Sequence, residues 1–140
     1  MMDTSGLIHL MNQKARSFSK ELNEYVQPHG LYTSQWTILY VLMKNGPMTQ
    51  TAIWKYLQVE APTVTRTLAK MEENGWVSRE YGRDRRERIA ALTEEAKTQL
   101  PAVKKSVEDA EHHFTGSLTR EEADQLYRLL QKLGTEERRD

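Results

Sequence analysis

The chain has 140 residues, enough for one domain with its own core, or for one domain plus a helical extension, without a disulfide or metal staple. It holds no cysteine, which excludes a thiolate nucleophile, a disulfide framework and a thiol switch. Its N-terminal stretch has no apolar run long enough for a signal peptide or a membrane span, so a soluble cytoplasmic protein is expected. Twenty basic and twenty acidic side chains cancel, but unevenly: residues 44–88 hold nine basic and six acidic groups, and residues 108–140 hold five and nine. A basic centre with an acidic end suits a local anionic contact, but taken alone such an imbalance is more often just a solvated face.

Helical periodicity dominates. Leu7, Met11, Ala15, Phe18, Leu22 and Tyr25 recur every three or four residues and mark a first helix, which Pro28 and Gly30 end. Thr33 is the expected N-cap of a second helix carrying Trp36, Leu39, Tyr40 and Met43, closed by Asn45, Gly46 and Pro47. Thr49 opens a short third helix over about 50–57. A fourth begins near Ala61 or Pro62, since proline fits a first turn, and buries Val64, Leu68 and Met71 before stopping at Asn74–Gly75.

"WVSREY" and "RERIAAL" then read as two short strands joined by the glycine-containing loop "GRDRR". Thr93 caps a long helix with Leu100, Val103, Val107, Ala110 and Phe114 on one face, and Pro101 inside it predicts a kink or a late start. Thr119 and Glu122 form a capping box for a last helix with Ala123, Leu126, Leu130 and Leu133. The fold class is therefore mainly α with a small β-hairpin, a winged helix-turn-helix over residues 33–92 flanked by long helices. Residues 1–32 and 93–140 form a discontinuous helical region whose stripes need a partner, most simply a second copy of the chain.

The ten residues Arg79–Arg88 contain five arginines. On a hairpin loop they reach outward, though some must turn back along the strands, and spacing alone does not say which.

"LYTSQWTILYVL", "MTQTAIWKYLQVEAPTVTRTLAKMEENGWVSRE" and "DRRERIAALT" together resemble the MarR family of bacterial transcriptional regulators. The most specific element is Asp84-Arg85-Arg86 followed by Leu92-Thr93; Thr63, Thr65 and Arg66 come next, then Gly75. The resemblance implies a homodimer that binds double-stranded DNA at a palindromic operator, usually as a repressor. It implies that Arg86 enters a minor groove, where narrow A·T tracts draw in a guanidinium. It implies a recognition helix in the major groove carrying Thr63, Thr65, Arg66 and Lys70. Arg83, Arg85 and Arg88 are candidates for phosphate contacts, while Asp84 orients a neighbouring arginine, because a carboxylate facing phosphates is repelled. The alternatives are capping for the threonines and a surface ion pair for Arg66. Ile53 and Trp54 depart from the family's leucine and small residue, and Trp54 is expected to pack at the core or its edge, the alternative being a place on the DNA-facing surface.

In the family, the junction between DNA-binding and dimer regions often holds a small aromatic effector. His9, Phe18, Trp36, Tyr40 and Met43 are the candidate lining here, against the plainer reading that such a stripe is core. Glu108 and His112 share a helix face at ligand spacing, but no further ligand is evident, so no metal or other cofactor is expected; His112 and His113 suit a helix C-terminus. No nucleophile triad, phosphate loop or zinc motif is present, so no enzyme is expected. A protein-binding winged helix is the alternative from another class, motivated by the acidic C-terminal region and the neutral total charge.

Overall fold

The computed structural model describes residues 2–134. Helix α1 spans Thr4–Val26, and Asp3 opens it by accepting the Gly6 N–H at 2.6 Å. Of α1, Leu22 and Val26 are buried, near its C-terminal end. A short 3-10 turn containing Pro28 and a left-handed Gly30 (φ 80°) end the run and turn the chain.

Helix α2 (Thr33–Asn45) is the centre of the core, with Trp36, Ile38, Leu39, Val41 and Leu42 buried. Its start differs from the expected cap. Tyr32 is the capping position, and its N–H donates to Gln35 Oε1 at 3.0 Å. Thr33 instead ties α2 to α1: its hydroxyl donates to the Ser19 carbonyl at 2.8 Å and its N–H to Asn23 Oδ1 at 2.7 Å.

Strand β1 (Met48–Thr49) was not foreseen, because two residues show no alternation. Helix α3 (Gln50–Leu57) follows, capped by the Thr49 hydroxyl, which accepts the Ala52 N–H at 3.0 Å. Helix α4 (Ala61–Glu73) has Pro62 in its first turn and buries Val64, Leu68 and Met71. Burying each of these side chains is worth about 1.5–3 kcal/mol, enough to seat the helix and leave its outer face free for polar residues. Gly75 at φ 87° lets the chain turn into β2 (Val77–Tyr81), which pairs antiparallel with β3 (Arg88–Leu92) in the register Val77↔Leu92 to Tyr81↔Arg88. β1 adds to the far edge of β3, so the hairpin is part of a three-stranded sheet of order β1-β3-β2.

Helix α5 (Glu94–Thr115) starts at Thr93, whose hydroxyl donates to the Gly75 carbonyl at 2.6 Å and accepts the Ala96 N–H at 3.0 Å. One side chain thus joins the turn after α4 to the start of the long helix. Pro101 neither delays nor interrupts α5. Both Pro101 and Lys97, the residue whose carbonyl loses its donor, are exposed, so water can serve that carbonyl. Helix α6 (Arg120–Lys132) carries the Thr119–Glu122 capping box (2.9 and 3.1 Å) and buries none of its residues. Among the described residues no helix is long and apolar enough to cross a membrane.

Candidate nucleic-acid interface

The apolar stripe of α4 faces α2, α3 and β2, so the remaining positions of the helix face out. Thr63, Thr65, Arg66 and Lys70 are all exposed. The threonines are not caps: the N-cap position is Glu60, and the Thr65 hydroxyl donates back to the Ala61 carbonyl at 3.1 Å. Arg66 has no ion pair among the described residues, while Lys70 sits 3.2 Å from Glu73 as an exposed pair one turn on.

The loop joining β2 to β3 is closed by its own backbone. Gly82 N–H donates to the Glu87 carbonyl (3.0 Å) and Glu87 N–H to the Asp84 carbonyl (2.8 Å). Asp84 Oδ1 accepts the Arg86 N–H at 3.0 Å and faces Arg86 Nε at 3.4 Å. The carboxylate therefore leans on Arg86, whose side chain is 90% exposed. Arg83 and Arg85 are exposed, with no ion pair among the described residues.

The two ends of the arginine run have other duties. Arg79 lies on the same side of β2 as buried Val77, turned away from solvent with 12% of its side chain exposed. Its Nε and Nη2 hold Glu72 Oε1 on α4 at 3.2 and 3.0 Å, and its Nη1 donates to Gln50 Oε1 on α3 at 3.0 Å. The period of two from Val77 to Arg79 was the available signal for this inward turn. Arg88 stacks on its cross-strand partner Tyr81 with 4.8 Å from guanidinium carbon to ring centroid, and its Nε is buried without a partner. This packing removes Arg88 from the group of free guanidinium groups at the loop tip.

A cavity of about 360 Å³ opens between α2 and α5, lined by Trp36, Tyr40, Met43, Lys44, Lys104, Val107, Glu108 and Glu111. The Trp36 and Tyr40 rings lie 6.2 Å apart at 50°. Partial desolvation at the cavity wall pushes the Glu111 carboxyl up from its ordinary value, and the Glu108 carboxylate adds to this while His112 opposes it. Two of the five expected lining residues lie elsewhere. Phe18 packs on Phe114 (4.9 Å between centroids), closing α1 against α5, and His9 sits exposed in the first half of α1, beyond the cavity. Trp54 is half-buried against the core edge, with Lys55 over its ring at 5.8 Å. His113 is bonded to Glu21 and His29 to Ser106, so the histidines join α5 to the N-terminal helical segment.

The MarR family model matches residues 31–87. The HTH-type transcriptional regulator YwoH of Bacillus subtilis (strain 168) is 55% identical over 97 residues, 69% of this chain and 71% of that one. The chain belongs to the MarR family. MarR-family members are DNA-binding transcriptional regulators and not enzymes, and this chain is one of them. Its fold is similar to that of wild-type MarR from E. coli without ligand, with a TM-score of 0.75, 28% identity and coverage of 96% of this chain and 98% of that one. A MarR mutant from E. coli complexed with operator DNA superimposes with a TM-score of 0.83 at 25% identity, covering 95% and 99%. Reduced AbfR bound to DNA matches with a TM-score of 0.74 at 25% identity, covering 91% and 88%.

Proposed function

We propose that this MarR-family regulator is a cytoplasmic homodimeric repressor that reads a palindromic operator in double-stranded DNA. Residues 33–92 carry the reading head, and residues 1–32 and 93–140 the dimer region, of which 1 and 135–140 lie outside the described residues. The observation that carries this reading is that Arg66, Arg83 and Arg85 stand exposed without ion pairs among the described residues, in a chain whose acidic side chains equal its basic ones in number. Unpaired guanidinium groups on a helix and on the loop beside it fit phosphates and base edges. Arg66 and Thr65 read the major groove, Thr63 and Lys70 contact the backbone beside it, Arg83 and Arg85 hold phosphates, and Arg86, steadied by Asp84, enters the minor groove.

The second copy is supported by α6 and the start of α1. Leu126, Leu129, Leu130 and Leu133 are 46–57% exposed, and Leu7, Ile8 and Leu10 add a further apolar set that one chain does not cover. Two recognition helices about 34 Å apart then meet successive major grooves of an operator of roughly 15–20 base pairs. A small aromatic effector seated on Trp36, Tyr40 and Met43 releases the operator by changing that spacing.

The test is in vitro selection of bound duplexes from random DNA, with the mass of the complex measured by sedimentation. The expected product is an inverted repeat with half-sites about ten base pairs apart, bound by two chains, with an affinity that falls steeply with salt. A folded protein that enriches no duplex, or binds with a flat salt response, refutes the reading in favour of a protein-binding module.

A further inference from the structure

We propose that Gln50, outside both the recognition helix and the wing, is a positioning residue for base reading: it fixes Thr65 as a hydrogen-bond acceptor, so that Thr65 reads an exocyclic amine of cytosine or adenine rather than a phosphate. This rests on α4 entering the major groove, as proposed above.

Gln50 is the first residue of α3, and its side-chain amide lies between Arg79 and Thr65. A guanidinium has donors and no acceptor, so the Gln50 atom 3.0 Å from Arg79 Nη1 has to be the amide oxygen. That assignment turns the amide NH₂ toward Thr65 Oγ1, at 3.4 Å. Arg79 cannot swing away to release it. Two of its other nitrogens hold Glu72, and its side chain is 12% exposed.

The consequence falls on the Thr65 hydroxyl. Its oxygen accepts from Gln50, and its single proton goes to the Ala61 carbonyl at 3.1 Å. One lone pair remains as the polar feature that exposed Thr65 offers outward. A phosphate oxygen needs a donor and finds none there. The N4 amine of cytosine and the N6 amine of adenine are donors in the major groove and fit it. Gln50 also selects the rotamer, since a helical threonine otherwise divides between two positions that bond the preceding turn. At 3.4 Å the contact is long, so its value is orientation and not strength. The chain Glu72, Arg79, Gln50, Thr65 leaves α4, crosses β2 and α3, and returns to α4 about two turns earlier, so the base of the wing sets the polarity of a reading residue.

The experiment is the same duplex selection run on wild type, Gln50→Met, Thr65→Val and the double variant, each checked for its melting temperature and for the salt slope of operator binding. The wild type is expected to select cytosine or adenine at one position per half-site. Gln50→Met should weaken that preference about two- to tenfold, the range of a single hydrogen bond, with the other positions and the salt slope unchanged. Thr65→Val should abolish it, and the double variant should lose no more than Thr65→Val alone. Gln50→Asn, which keeps the amide but is one methylene too short, is expected to copy Gln50→Met and serves if the methionine variant does not fold. If Thr65→Val changes the selected base and both Gln50 variants leave it untouched, Gln50 is not a positioning residue although the major-groove reading stands. If Thr65→Val weakens all sequences equally, Thr65 contacts phosphate and the inference is overturned. No selected operator for the wild type removes both readings.

Discussion

Arg86→Ala tests the wing with the least structural disturbance. The side chain is 90% exposed, and its polar partner among the described residues is Asp84, two residues away. Truncation opens no cavity, so stability should stay within about 0.5 kcal/mol of the parent. Binding is another matter. In the proposed dimer two wings would act, and each lost cation returns about 0.9 of a counterion, so the slope of log K against log salt should shrink by about 1.8. Taking the electrostatic part as vanishing near 1 M salt, that slope corresponds to about 200-fold weaker binding at 0.05 M, about 30-fold at 0.15 M and about ninefold at 0.3 M. Fluorescence anisotropy of a labelled operator duplex over that salt range measures it directly. Arg88→Ala is the internal control. Its guanidinium stacks on Tyr81 with a buried Nε, so its loss should lower stability and leave the salt slope alone. Parallel lines for Arg86→Ala and the parent would refute the placement of Arg86 against DNA, and a changed slope for Arg88→Ala would refute the division of the arginine run.

Three further outcomes are expected. Arg79→Ala leaves Glu72 and Gln50 without their shared donor in a half-covered site, and should cost about 1–2 kcal/mol, read as a fall in melting temperature of about 3–8 °C; a melting temperature equal to the parent's would mean the bridge is not formed in solution. Glu111 has its carboxyl raised by burial and by Glu108, so the folded state holds the proton more tightly, and its contribution falls as pH rises through the window just above the ordinary carboxylate value. Glu111→Gln should therefore raise the melting temperature at pH 7 and change it little below about pH 4, and a gain that does not grow with pH contradicts the shift. Leu126→Glu with Leu130→Glu changes two residues exposed in the single chain, which a monomer tolerates; in the proposed dimer it should halve the sedimenting mass and weaken operator binding, and an unchanged mass would take α6 out of the interface.

Local chemistry was the legible part of this fold. The caps at Thr49, Thr93 and Thr119, the stop at Gly75 and the buried stripe of α4 depend on neighbours a few residues apart, and they stand where the pattern puts them. The departures depend on distant partners. Thr33 has the composition of a cap, but Ser19 and Asn23 on α1 compete for it and take it. Pro101 carries the sign of a kink or a late start, but α5 starts on time and runs through it, held by its buried stripe of Ala96, Leu100, Val103, Val107 and Ala110. The stripe of α1 is continuous in sequence and divided in use. Phe18, Leu22 and Tyr25 meet the core, while Leu7 is left uncovered. A period of 3.6 establishes that a face exists, not what lies against it, so the pattern groups His9 and Phe18 with Trp36 where the structure separates them.

The arginine run shows the same limit at a functional site. Five identical side chains within ten residues look like one patch, and charge density alone gives no reason to divide them. Strand parity divides them. Arg79 shares a side of β2 with Val77, and Arg88 pairs across the hairpin with Tyr81, so both are drawn into the base of the wing. Arg83, Arg85 and Arg86 lie in the loop, where parity no longer applies and the backbone closes on itself through Asp84 and Glu87. The inner pair makes the outer three useful. In the proposed complex, a loop tip that wandered would spend its conformational entropy at the moment of binding, whereas one braced by Arg79 on α4 and α3 would meet the groove already placed. The same brace reaches Thr65 through Gln50, so a change at Arg79 should be felt on α4 as well as on the wing.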